Sequence, residues 1–130
     1  MSGITRHGLR PFGPPIATAV EADGWLHVCG QVPRDPENNN ELATGSITVQ
    51  AEVTFKNLIR VLESAGYSLA DVVKINIWLD DARDFADFNK VYTRYFAPEH
   101  APARVCVVSS MVVDCKVEMD CIAYKKPSGK

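Results

Sequence analysis

The chain predicts an α+β fold, a mostly antiparallel sheet with two helices packed on one of its faces. Three observations predict it. Apolar residues recur at three- and four-residue steps in two segments, they alternate with polar residues in several others, and the segments run strand, strand, helix, strand, helix, strand, strand. With 130 residues, 46% hydrophobic and 23% charged, the chain fits one domain over residues 1–130 with a single core.

Three prolines and a glycine between Arg10 and Pro15 leave the backbone bent and short of amide donors, so this stretch reads as a loop, with the first regular element after it. Ile16 to Glu21 and Trp25 to Gly30 read as two strands joined at Asp23-Gly24, a dipeptide suited to the positive φ angles of a tight hairpin. Pro33 to Gly45 has no apolar period and reads as an exposed loop. Ser46 can cap a helix whose stripe is Ile47, Ala51, Thr54, Phe55, Leu58, Ile59 and Leu62, ending at Ala65-Gly66 with Gly66 in a left-handed cap. Asp71 to Leu79 alternates as a strand. Asp80 or Asp81 can then cap a second helix carrying Phe85, Phe88, Val91, Tyr92, Tyr95 and Phe96, which Pro98 stops. Strands at Arg104 to Val108 and Lys116 to Tyr124 follow, then a polar tail from Lys125 to Lys130.

Alternation also assigns faces, because neighbouring side chains on a strand point to opposite sides. Val73, Ile75 and Ile77 are expected to face the helices with Val105, Val107, Val117, Met119, Cys121 and Ala123. The other face then receives Lys74, Asn76, Trp78, Arg104, Cys106, Val108, Glu118, Asp120, Ile122 and Tyr124. Such a mixture suits a subunit contact, so a homo-oligomer is expected. On this assignment Arg104 and Glu118 share a face. They form either a structural ion pair, or an arginine fork for a substrate carboxylate with a glutamate that orients water or a proton.

Other functions find less support. A net charge of −2 gives no general attraction for phosphate backbones, so no nucleic-acid partner is expected. No stretch has the length of a signal peptide's apolar region or a membrane span, so a cytoplasmic protein with no membrane partner is expected. Cys29, Cys106, Cys115 and Cys121 are irregularly spaced, without CxxC pairs, which predicts free thiols and no metal site. His7 and His100 fall in expected loops and His27 on a strand, with ordinary packing or surface roles. Gly24, Gly30 and Gly45 match neither glycine-rich phosphate motif. Cys106 lacks an identifiable base for covalent catalysis.

Several motifs in order carry a resemblance. They are Cys29-Gly30-Gln31-Val32-Pro33, Asn57-Leu58, Ala65-Gly66 followed by Asp71-Val72-Val73-Lys74, Asp84-Phe85 with Asn89 and Tyr92, Pro102-Ala103-Arg104 with Cys106, and Val117-Glu118. Over nearly its whole length the chain resembles the RidA/YjgF/UK reactive-intermediate deaminases. The resemblance implies a chorismate-mutase-like fold and a homotrimer whose sheets line a central barrel, with three sites in clefts between subunits. It also implies hydrolysis of 2-aminoacrylate-type enamines, through their imines, to 2-keto acids and ammonia, with no metal or cofactor. By the same resemblance Arg104 binds the carboxylate, Glu118 helps to position the attacking water, and backbone groups of Gly30 and Cys106 orient the substrate nitrogen or the water. The family usually has Gly-Pro-Tyr near the N-terminus, its tyrosine lining the pocket, where this chain has Gly13-Pro14-Pro15. With Phe12 or Ile16 filling that space, a bulkier or more apolar imino acid, or an enamine such as an aminomuconate, becomes a candidate. Two alternatives stand beside the deaminase: a non-catalytic regulatory trimer that binds a keto acid, and the endoribonuclease or translation inhibitor of older family usage.

Overall fold

The computed structural model describes residues 2–128, so Met1 and the last two residues of the expected polar tail, Gly129 and Lys130, lie outside the described residues. Eight strands and two helices follow in order: β1 (Thr5–His7), β2 (Ala19–Ala22), β3 (Trp25–Gln31), β4 (Arg34–Asp35), β5 (Glu41–Leu42), α1 (Ile47–Ser64), β6 (Val72–Leu79), α2 (Phe85–Tyr95), β7 (Ala103–Val108) and β8 (Val117–Tyr124). Six of the strands form one sheet in the order β1-β2-β3-β8-β6-β7. Its pairs are antiparallel except β6 with β7. The α+β class, the mostly antiparallel sheet and the two helices on one face agree with the sequence.

Local signals explain the element boundaries. Asp23 and Gly24 adopt φ of 51° and 86° between paired Ala22 and Trp25, the geometry of a two-residue hairpin. The Ser46 side chain accepts from the Val49 N–H at the start of α1. At its end the Gly66 N–H reaches Glu63 O and the Tyr67 N–H reaches Leu62 O, with Gly66 at φ 87°. That pair of bonds satisfies carbonyls the helix leaves unpaired. Asp81 accepts from the Arg83 N–H and so caps a 3-10 turn, Ala82–Asp84, that runs into α2.

The core lies between the helices and the inner face of the sheet. Ile47, Ala51, Phe55, Leu58 and Leu62 of α1 meet Leu26, Val28, Ile75, Ile77, Leu79, Val117, Met119 and Cys121, all buried. Phe55 pins α2 to α1: its ring stacks on Tyr95 at 4.5 Å and lies 6.2 Å from Phe88, Tyr92 and Phe96. Two polar side chains are buried among the described residues and both are satisfied: Gln50 donates to Gly45 O and accepts from the Lys116 N–H, and the Thr54 hydroxyl donates to Gln50 O.

Four expectations are corrected. A strand, β1, precedes the proline-rich loop, and His7 lies on it, 3.1 Å from Glu21, rather than in a loop. The expected loop 33–45 contains the β4–β5 ladder. Val73 faces outward at 42% exposure, because a bulge between Val72 and Lys74 turns Val72 inward instead.

The fourth correction concerns β7. It runs parallel to β6 with Ile75 opposite Arg104 and Ile77 opposite Cys106, which puts Arg104 and Cys106 on the helix side. Val105 and Val107 take the open face, each 44% exposed. The cause is the edge position. The inner side of β7 meets the rim of α2, where polar and aromatic groups receive a guanidinium, while its valines join Trp25, Trp78, Ile122 and Tyr124 on the uncovered face.

Candidate active site

Arg104 is positioned by α2. Its Nη1 donates to Asn89 Oδ1 at 2.8 Å, and its guanidinium carbon lies 4.8 Å from the centre of the Tyr92 ring and 5.6 Å from that of Phe85. Phe85, Asn89 and Tyr92 recur at steps of four and three, so they form one stripe of the helix beside the edge strand. Phe85 is 46% exposed, so it serves this rim and does not join the core as its spacing suggested. The rings and the amide fix the arginine while leaving its charge uncompensated: among the described residues Arg104 makes no ion pair with a carboxylate.

Cys106 lies two residues along β7 on the same side, half-buried and packed against the core. Burial pushes its thiol pKa up, and Arg104 only partly offsets that. A raised thiol pKa means little thiolate, so this cysteine is poorly suited to nucleophilic attack. All four cysteines are free, with Cys115 and Cys121 buried, as the spacing indicated. Among the described residues no group of three or more His, Cys, Asp or Glu side chains is arranged to hold a metal ion.

Gly30 and Glu118 form a second cluster. Gly30 sits in the irregular stretch of β3 between Val28 and Gln31, where its pairing with β8 shifts register. A Cβ on Gly30 would stand 2.2 Å from Glu118 Oε2, so the missing side chain is the room this carboxylate occupies. Glu118 is opposite Trp78 on the open face. Burial, and secondarily the neighbouring Asp120, push its carboxyl pKa above the usual 4.5. Asp120 is held by a hydrogen bond from Asn76 Nδ2 at 2.8 Å.

Arg104 and Glu118 therefore do not share a face. β6 lies between their strands, and the two side chains project to opposite sides of the sheet. This overturns both the shared face and the structural ion pair that the alternation allowed. The chain carries two separate clusters: Arg104 with Asn89, Tyr92, Phe85 and Cys106 on the helix side, and Glu118 with Gly30 on the open side. Asn89, Tyr92 and Phe85 are the site residues whose roles sequence reasoning missed. A polar Asn89 within the apolar stripe of α2 was the signal for them.

A family model described as Endoribonuclease L-PSP matches residues 8–125. A RutC family protein of Pyrococcus horikoshii is 42% identical over 124 residues, covering 95% of this chain and 96% of its own. The crystal structure of yeast Mmf1 has a TM-score of 0.85 at 35% identity, covering 95% of this chain and 99% of that one. Escherichia coli TdcF with bound serine has a TM-score of 0.79 at 29% identity, covering 93% and 95%.

Proposed function

Because the chain belongs to the RidA/YjgF (Endoribonuclease L-PSP) family, we propose that it hydrolyses enamine and imine acids to 2-keto acids and ammonia. The observation that carries this reading is Arg104, half-buried, fixed by an amide and two rings, and without a carboxylate partner among the described residues. A guanidinium so held suits two parallel hydrogen bonds to the carboxylate of a small substrate. Serine bound to TdcF is itself an α-amino acid with such a carboxylate, in keeping with this class.

The chemistry asks little beyond placement. The enamine gains a proton at carbon and gives one up from nitrogen to become the imine, whose carbon is already electrophilic. Water adds to that carbon, its two protons pass in turn to nitrogen by way of Glu118, first on addition and then as the C–N bond breaks, and ketone and ammonia are left. Arg104 fixes the anion, Glu118 orients the water, and backbone groups of Gly30 and Cys106 align the nitrogen or the water. Proximity and orientation supply the acceleration. The raised Glu118 pKa supports the proton role, because it brings the carboxyl nearer to neutrality than an ordinary glutamate.

Since the two clusters lie on opposite faces of one sheet, the reading requires a second copy of the chain, with Glu118 of one protomer meeting Arg104 of another. The exposed apolar face containing Trp25, Val105, Val107 and Tyr124 supports such packing, and a homotrimer with sites in its clefts is the arrangement proposed. Pro15 in place of the usual tyrosine favours substrates bulkier than 2-iminopropanoate or 2-iminobutanoate. No described helix is long and apolar enough to cross a membrane. A cytoplasmic setting is part of the proposal, although a Saccharomyces cerevisiae relative is named Protein MMF1, mitochondrial.

One observation favours a second reading, a regulatory protein that binds keto acids without turnover. The carboxylate-binding cluster at Arg104 is complete without Glu118, which lies on the other face of the sheet, so a keto acid can be held with no water-positioning group beside it. Imines generated in situ by an amino-acid oxidase separate the two. Deamination above the spontaneous rate, lost in Arg104→Ala, supports the deaminase; keto-acid binding with no acceleration of any imine supports the regulator.

A further inference from the structure

Glu118 has a neighbour of its own kind. Asp120 lies two residues along β8 on the same open face, and both are half-buried, while Val117, Met119 and Cys121 alternate with them into the core. Two positions along a strand put the Cα atoms roughly 7 Å apart. Carboxylates at that spacing, partly withdrawn from water, oppose each other's ionisation, so the pair favours holding a proton.

Their partners differ, and the difference decides where that proton rests. Asn76 stands opposite Asp120 on β6, and its Nδ2 donates to Asp120 Oδ1 at 2.8 Å. The residue opposite Glu118 is Trp78. Among the described residues Glu118 receives no hydrogen bond, and neither carboxylate joins an ion pair. The other ionisable groups around this face are Cys29 and His27 of β3, Lys74 of β6, Tyr124 of β8 and Arg10 of the proline-rich loop. β7 brings Val105 and Val107. Burial raises the Cys29 thiol pKa, Gln31 and Arg10 lower it, and Glu118 and Asp120 both raise it, which groups the two carboxyls about one point. One carboxyl is thus tied to an amide donor and the other is left free to exchange a proton.

We propose that Asp120, fixed by Asn76, is a positioning residue for Glu118: it makes Glu118 the member of the carboxyl pair that takes up and returns the proton during deamination. The proposal rests on the deaminase reading and adds to it the two side chains that tune its proton carrier. Asp120 acts through Glu118 and leaves the grip of Arg104 on the substrate carboxylate untouched. The raised pKa of Glu118, from burial first and Asp120 second, agrees with this placement.

The test pairs a titration with kinetics on the whole protein. Carboxyl-carbon NMR follows the Glu118 resonance, assigned with Glu118→Gln, in wild type, Asp120→Asn and Asn76→Ala. The Glu118 midpoint is expected to move to lower pH in Asp120→Asn, which removes the neighbouring charge. It should also move down in Asn76→Ala, which alters no charge but frees Asp120 to share the proton, and which decides the matter should Asp120→Asn not fold. With oxidase-generated imines, Asp120→Asn should lower kcat about tenfold at neutral pH with KM unchanged. The limb of the kcat profile set by Glu118 should follow the midpoint to lower pH, and Asp120→Glu should recover most of the loss. A midpoint unmoved in both Asp120→Asn and Asn76→Ala overturns the proposal, as does a kcat loss that Asp120→Glu does not relieve. The titration needs no substrate, so a midpoint that falls while the wild type accelerates no imine contradicts the deaminase reading and leaves the carboxyl pair standing.

Discussion

Replacing Gly30 with alanine should disable the reaction while sparing the fold. The new Cβ would meet Glu118 Oε2 at 2.2 Å and Cδ at 3.1 Å. An ordinary contact requires that oxygen to retreat by about 1.2 Å. The obstacle is the end of a flexible side chain, and the φ of Gly30 lies outside the left-handed region, so the backbone tolerates alanine. Stability is therefore expected to stay within about 1 kcal/mol of wild type. A displacement near 1 Å in the group that places the water costs on the order of 100-fold in kcat. Ammonia release from oxidase-generated imines measures the rate, and calorimetric unfolding measures stability. The loss should nearly vanish when Gly30→Ala is added to Glu118→Gln, because both act through one carboxylate. Wild-type turnover in Gly30→Ala, or a full second loss in the double variant, refutes the reasoning.

Further expectations concern the same residues. Asn89→Ala removes a charge-assisted bond to Arg104 and should raise KM about tenfold with little change in kcat. Asn89→Asp keeps the bond but neutralises the guanidinium, so its KM should be worse still, where a purely structural role would predict rescue. Folding favours the protonated form of Glu118, whose contribution to stability is fully present below the unfolded pKa and lost as pH rises through the raised folded value. Thermal unfolding of Glu118→Gln should therefore match wild type near pH 4 and exceed it at pH 7. A constant difference across that range would count against it.

The helices and their ends were legible because the information is local. Ser46, Asp23-Gly24 and Gly66 each carry a conformational signature, and α1 shows its stripe along 18 residues. What failed depends on neighbours that sequence does not name. The three residues of β1, Thr-Arg-His, hold no apolar pattern and pair only because β2 offers an edge. The bulge at Val73 reverses one residue of an otherwise regular alternation. On β7, valines were read as inward because apolar side chains usually are, yet on an edge strand the open face is the apolar one. That single inversion placed Arg104 beside Glu118. Alternation singled out Arg104 and Glu118, and the resemblance added Gly30 and Cys106, whereas the separation of Arg104 from Glu118 onto two faces needed the sheet order.

The division is tested most directly by mixing two defective proteins. Arg104→Ala lacks the carboxylate-binding half and Glu118→Gln the water-positioning half. When equal amounts are unfolded together and reassembled, each site between neighbours has an intact half from each side about one time in four. Both variants should be inactive alone, and the mixture should recover about a quarter of wild-type deamination. A mixture as inactive as its components would contradict this division, since that result requires Arg104 and Glu118 to act within a single chain.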